Sequence, residues 1–371
     1  IKALNKGVAS LYPDIEGVTE LKKETSRFIK LFLDIDVSPA GCIPTCGSMQ
    51  GAFACFLTVN RTDRNKEGTL FIDPGFPVHK QQVHMLGHDY YSFDIYDFRG
   101  KKLEDKLRSY LDTGKISSIL YSNPNNPSWI CFTEEELEII GTLATQYDVI
   151  VLEDLAYFGM DFRRDISVPG VAPFQPTVAK YTSQYIIMIS SSKVFSYAGQ
   201  RLGLMAVSDA LFSRRYPDLK RYFNTDVLGH SIIYGAIYAL SAGAPHSPQL
   251  AVAALMKAAS DGNYNFIEPV KTYGIRAGKM KKIFTDSGFH IVYDTDIDVP
   301  IADGFYFTIG YNGLSGEELL EGLLRYGISA ITLGITGSTR TEGLRICVSH
   351  IKDEQISLLE ERLKLFNNNH C

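Results

Sequence analysis

The apolar positions of this chain change period along its length, and those changes mark its elements. ISSILYS (116–122) is a short β-rich run, TEEELEIIGTLATQYD (133–148) repeats its apolar residues at helical spacing, and DVIVLED (148–154) returns to a strand. In the middle segment Leu137, Ile140, Leu143, Ala144 and Tyr147 make one apolar stripe. Thr133, with Glu136 three residues on, is a capping-box pattern at the helix start. Together these make one β-α-β unit. TLFID (69–73), YIIMIS (185–190) and GLMAVS (203–208) are further strand candidates. Strands alternating with helices predict an α/β fold with a largely parallel sheet covered on both sides.

From about residue 261 the texture changes. A long helical pattern, NFIEPVKTYGIRAGKMKKIFTDSG, leads to FYFTIGY, a helix near SGEELLEGLLRYG, the strand LRICVS and a last helix to about Leu365. This predicts a smaller α+β domain. We divide the chain into a large domain, 13–265, and a small domain, 266–371 with 1–12. No fixed-period repeat or low-complexity tract is visible, which removes solenoid and linker-array architectures.

Composition narrows the function classes. The 371 residues are 45% hydrophobic and 21% charged, ordinary values for a folded globular chain. Thirty-seven Lys and Arg against 42 Asp and Glu give a formal charge of −5, without the basic footprint of a nucleic-acid binder. No stretch nears the roughly 18 consecutive apolar residues of a membrane span, and the start lacks a charged leader followed by an apolar run. A soluble cytoplasmic protein is expected. The six cysteines are irregularly spaced, so reduced thiols are expected rather than a disulfide framework. Cys42 with Cys46, and His84 with His88, lack a second pair at ligand spacing, so no metal site is expected.

Four motifs carry candidate chemistry, and three of them end proposed strands, where ligands sit in open α/β sheets. SNPNNPSW (122–129) has two Asn-Pro dipeptides that favour an extended loop, able to hold the Asn126 amide toward a ligand. EDLAYFGM places Asp154 at the end of an apolar strand, with Tyr157 three residues on. A carboxylate there is costly unless it meets a cation or donors. SSSKVFSYAGQRLG (190–203) puts three hydroxyls before Lys193 and places Arg201 eight residues after it. This suits a Schiff-base lysine beside a phosphate site, because the arginine fork grips phosphate and desolvation lowers an amine's pKa. CGSMQGAFACFL (46–57) is a glycine-hydroxyl turn into an apolar helix, where Ser48 and the amides of Met49 and Gln50 are placed to cradle an anion. Phosphate, aldehyde, ring nitrogen and phenolic oxygen are the groups such a site would meet, and pyridoxal 5′-phosphate presents all four.

With these motifs in this order, from YPDIEGVTEL (12–21) to LRICVSH, the sequence resembles the fold-type I, class I/II aminotransferases that use pyridoxal phosphate. The resemblance implies a seven-stranded, mainly parallel sheet and an enzyme moving an amino group between an α-amino acid and a 2-oxo acid. It makes Lys193 the Schiff-base lysine and proton carrier, and Asp154 the partner of the protonated ring nitrogen. Asn126 and Tyr157 become the donors to the phenolate oxygen. Ser48, Met49, Gln50, Ser190, Ser192 and Arg201 become the phosphate shell, and Phe76 in DPGFPVHK the ring stacked on the cofactor. Tyr12 is the tyrosine reaching a phosphate across a homodimer interface, and Arg345 the clamp on the substrate carboxylate, beside Asn126.

The sequence departs from the family where Ser128 and Trp129 replace the usual Thr-Gly, which suggests a reshaped turn and a Trp129 that narrows the pocket mouth. The chain also opens close to YPDIEG, so the family's N-terminal segment is expected to be missing. A β-eliminating C–S lyase of the same fold is the alternative activity, and a non-catalytic cofactor-binding effector domain a more distant one. Arg99, Arg325 and Arg340 are each candidates for a second carboxylate clamp, and the sequence does not select among them.

Overall fold

The computed structural model describes residues 2–5, 7–66 and 68–370. The expected domain bounds at Ile1 and Cys371 lie outside the described residues. A seven-stranded sheet organises the first two-thirds of the chain, from β1 (Cys42–Thr45), β2 (Gly68–Asp73), β3 (Tyr90–Asp94), β4 (Ile116–Ser122), β5 (Ile150–Leu155), β6 (Tyr185–Ser190) and β7 (Gly203–Val207). Their order is β1-β7-β6-β5-β4-β2-β3. Strands β3, β2, β4, β5 and β6 pair in parallel, while β7 runs antiparallel to both β6 and β1.

The near-continuous apolar runs follow from burial on both faces, since successive side chains point to opposite sides of a strand. Ile119, Val151, Ile187 and Ile189 enter one core, and Leu120, Leu152, Ile186 and Met188 enter the other. The helix expected after β4 spans Glu134–Gln146 and has its capping box: Thr133 accepts from the Glu136 amide at 3.2 Å, and Glu136 accepts from the Thr133 amide at 3.0 Å.

Farther on, β8 (Phe289–Ile291), a short hairpin of β9 (Thr295–Asp296) and β10 (Val299–Pro300), β11 (Tyr306–Tyr311), β12 (Ile331–Thr332) and β13 (Leu344–Cys347) follow. Four of these form an antiparallel sheet in the order β12-β13-β11-β8. Helices Lys271–Asp286, Gly316–Arg325 and Ile356–His370 close a third core on its Phe307, Ile309, Leu344 and Ile346 face. Alternation then turns Tyr306 and Arg345 to the other face, toward the large sheet.

Three expectations are adjusted. The first helix of this part starts at Lys271 because Pro269 lies in a preceding 3-10 turn, Glu268–Val270. The last helix continues past Leu365 to His370. Strand β5 starts at Ile150, after Asp148 turns the chain with φ of 52°. No described helix is long and apolar enough to cross a membrane.

Candidate active site

The sheet brings most of the candidate residues to one edge. Strand β4 exits into the Asn126 loop, β5 ends at Asp154 and Leu155, β6 exits into Lys193, and β2 exits toward Phe76. Because β7 runs backwards, its amino end at Gly203 arrives at this same edge opposite Thr45 of β1, bringing Arg201 beside the helix Gly47–Val59.

That helix start carries no side-chain cap, which leaves its first amides for a ligand. Gly47 has φ of 73°, and a Cβ on it would stand 2.7 Å from Nη2 of Arg201. A Cβ on Gly203 would stand 2.5 Å from the Ser48 amide nitrogen. Glycine at both positions therefore lets the guanidinium and the helix start converge. Ser190 accepts from the Ser192 amide at 3.2 Å, and Arg201 donates to the Ala198 carbonyl at 2.9 Å. The Gln50 side chain is committed, accepting from the Cys46 amide at 2.8 Å and donating to Ser241 at 2.6 Å, so only its backbone remains for the cradle.

Lys193 sits on the short helix Ser191–Val194, its Nζ 4.6 Å from the Phe305 ring centroid and 5.9 Å from that of Tyr157. Burial holds its pKa below the ordinary lysine value; Cys347 opposes this, and the charges of Arg345 and Arg201 add to it. Burial also pushes Asp154 up to about 7, against one hydrogen bond from the Ala156 amide at 3.1 Å. No cation among the described residues forms an ion pair with Asp154. Tyr157 is buried, which raises its pKa well above the usual tyrosine value, and its hydroxyl donates to that of Tyr306 at 2.9 Å. Arg345 donates from Nη1 to Asn126 Oδ1 at 3.0 Å and lies 4.3 Å over the Tyr306 ring.

The remaining candidates differ in their surroundings. Tyr12 is 90% exposed. Phe76 is half-buried against His79, with ring centroids 5.5 Å apart. Trp129 is fully buried and packs behind Tyr157, so it does not narrow the mouth. Arg99 is locked by Glu136 and Asp296, and Arg325 is an exposed partner of Glu321. Arg340 pairs with Asp97 and lies over Tyr96. Phe305 and Tyr306 were not singled out from sequence, although FYFTIGY showed a strand. The alternation of that strand against LRICVS would have set Tyr306 and Arg345 on one face.

The residues fit the cofactor that the resemblance implies. Asp154 is a buried carboxylate without a cation, matched to a protonated ring nitrogen. The Gly47–Arg201 cradle is one that a Cβ would fill, and it joins a helix start to a guanidinium, as a phosphate requires. Lys193 is an amine biased toward its neutral form, as capture of an aldehyde requires.

The chain also has known relatives. Residues 1–363 match the family described as aminotransferase class I and II. The probable aspartate aminotransferase of Methanocaldococcus jannaschii is 25% identical over 57% of this chain and 52% of its own length. The aromatic-amino-acid aminotransferase 2 of Thermococcus litoralis is 28% identical over 56% and 51%. The putative aminotransferase YugH of Bacillus subtilis is 23% identical over 99% and 86%. In several of these alignments, as with the aspartate and aromatic-amino-acid aminotransferases, the chain spans about half the length of the curated relative it matches. Among solved structures, Escherichia coli YbdL, described as having a methionine aminotransferase function, superposes with a TM-score of 0.78 at 15% identity, covering 98% of this chain and 88% of its own. An alanine aminotransferase from Pyrococcus furiosus gives 0.78 at 20% identity, over 99% and 86%.

Proposed function

Because the chain belongs to the class I and II aminotransferases, we propose that it is a transaminase, moving an amino group between an α-amino acid and a 2-oxo acid with pyridoxal 5′-phosphate. The observation that carries this is one edge holding a neutralisable amine, Lys193, a buried acid without a cation, Asp154, and a carboxylate-sized fork, Arg345. When bound, the cofactor supplies an aldehyde for the amine and a ring that stores the electron pair released at Cα.

Each protein group then has one task. Arg345, oriented by Asn126, grips the substrate carboxylate and fixes which way Cα faces. Lys193 Nζ, held low in proton affinity by burial, takes the Cα proton and returns it at the other end of the reaction. Asp154 keeps the ring nitrogen protonated, and a cation beside it draws its own pKa back down. Tyr157 and Asn126 serve the phenolic oxygen. The helix start at Ser48, Met49 and Gln50, with Ser190, Ser192 and Arg201, holds the phosphate, and Phe76 covers the ring.

The same reading includes a large domain over 13–265, a small one over 266–371 with 1–12, a cytoplasmic setting, and a homodimer in which Tyr12 serves the neighbouring site. The exposure of Tyr12 supports the last point.

The test is an absorption spectrum of the protein with pyridoxal phosphate, titrated with a panel of amino acids in the absence of 2-oxo acid. Loss of the aldehyde-form band, reversed by a 2-oxo acid, is expected. Steady release of ammonia with the band unchanged would overturn transamination in favour of elimination. Lys193→Ala is expected to abolish turnover, and an active variant would remove Lys193 from its role.

A further inference from the structure

We infer that Trp129, seated on Gly304, is a positioning residue that sets the Tyr157–Tyr306 phenol pair and, through the Tyr306 ring, the Arg345 guanidinium. The inference rests on the transaminase reading above.

Trp129 has φ of 66° and is fully buried. A bulky residue in left-handed backbone is uncommon and persists only where its surroundings over-determine it. The surroundings here are specific. A Cβ built on Gly304 would overlap Cε2, Nε1 and Cζ2 of the indole, so the ring lies directly on bare backbone and glycine alone fits beneath it. The indole meets Tyr157 edge-on at a centroid distance of 5.3 Å and Tyr306 at 6.2 Å, while those two rings meet each other at 5.5 Å.

The two residues stand on the segments that supply both partners of Arg345. Trp129 follows Asn126 on one loop, which is fixed by the Trp129 amide donating to the Asn125 carbonyl at 3.0 Å and by Asn125 Nδ2 donating to the Pro74 carbonyl at 2.8 Å. Gly304 leads into Phe305, beside Lys193, and Tyr306, beneath Arg345. Contact between indole and glycine therefore sets the spacing between Asn126, which orients the guanidinium, and Tyr306, which supports it. It also holds Tyr306 within 2.9 Å of the Tyr157 hydroxyl. Tyr157 donates to Tyr306 in this structure; were its proton turned to the phenolic oxygen instead, its own oxygen would become the acceptor for Tyr306, and the indole keeps the two hydroxyls within reach of each other.

A double-mutant cycle on the cofactor-loaded protein tests this, using Gly304→Ala, Trp129→Gly and the pair, with Trp129→Phe as the milder variant. Three quantities are measured: KM against kcat for the best amino acid, the pH midpoint of the cofactor's visible absorbance, and thermal stability. Gly304→Ala is expected to raise KM about tenfold through a displaced Arg345. It is also expected to move the absorbance midpoint upward, because weaker donation to an anionic oxygen favours its protonated form. In the Trp129→Gly background the same alanine should change each quantity by less than about twofold, its steric partner being gone. Trp129→Phe should fall between wild type and Trp129→Gly.

Equal effects of the alanine in both backgrounds would overturn the pairing. Lower thermal stability with KM and absorbance midpoint unmoved would reduce Trp129 to core packing and overturn the positioning role. A wild-type protein that never develops the visible band would instead remove the transaminase reading, and this inference with it.

Discussion

Arg345 and Asn126 stand 219 residues apart in sequence and meet through a 3.0 Å hydrogen bond from Nη1 to Oδ1. The bond ties the antiparallel sheet to the loop leaving β4 and aims a guanidinium fork across the carboxyl edge of the large sheet. Arg345→Ala is expected to cost about 2–5 kcal/mol in kcat/KM for amino acid and 2-oxo acid, the scale for removing one partner of a hydrogen-bonded charge pair, with the lower end expected for a half-buried arginine. Cofactor affinity should stay close to wild type. Steady-state kinetics beside a cofactor titration checks this; a loss confined to cofactor affinity would reassign the arginine.

Asp154 gives the cofactor-free protein a pH-dependent weakness. Its folded pKa of about 7 lies above the carboxylate value of 3.8, so between those values the folded state holds a proton that the unfolded state releases. Its contribution to stability is therefore present below about pH 4 and is lost as pH rises toward 7. Asp154→Asn, which cannot ionise, should gain stability relative to wild type over that range by as much as about 4 kcal/mol. Thermal denaturation of both cofactor-free proteins at pH 5 and pH 8 reads the difference. Adding pyridoxal phosphate should reverse the order at pH 8, since only wild type offers the ring nitrogen a carboxylate.

Arg99 is a structural tie. It donates to Glu136 at 2.7 and 2.9 Å and to Asp296 at 2.8 Å, and all three side chains are buried. Arg99→Met leaves the buried Glu136 without its cation, while Asp296 keeps Arg163 at 2.8 Å, and should cost about 3–5 kcal/mol in chemical denaturation. The KM for a dicarboxylic amino acid should move no more than that for a neutral one. A selective loss of the dicarboxylic substrate would restore Arg99 as a second clamp.

Tyr12 predicts complementation. If it serves the neighbouring subunit, a mixture of Tyr12→Ala and Lys193→Ala chains contains hybrid dimers with one intact site each. After refolding together, about a quarter of all sites should be native, as expected for random pairing in a two-fold dimer. An activity no greater than the sum of the separate variants would place Tyr12 outside the site.

Legibility in the sequence tracked how local each signal was. Lys193 and Asn126 follow, and Asp154 nearly ends, a strand whose apolar run is unmistakable, so their place on the sheet edge is legible in the sequence. Strands β1 and β3 are not. Both lie at sheet edges; β1 has four residues and includes Pro44, which an edge strand tolerates, and β3 starts exposed. Tyr306 escaped notice because its meaning is a contact 149 residues away, with Tyr157. Trp129 looked like a rim residue on sequence alone, and only the absent side chain of Gly304 shows where its indole goes.

The reversed direction of β7 has a consequence for how the site is assembled. Ser190 pairs with Gly203, so the chain leaves and re-enters the sheet at neighbouring points, and Lys193 and Arg201 ride on the single excursion between them. The conformational entropy of bringing amine and guanidinium together is then that of closing one short loop, whereas a parallel β7 would have required a crossover along the sheet. Lys193 and Arg201 lie only eight residues apart in sequence. This pair should be the first to reach native spacing during folding, with the Asn126–Arg345 bond, at the longest range, among the last.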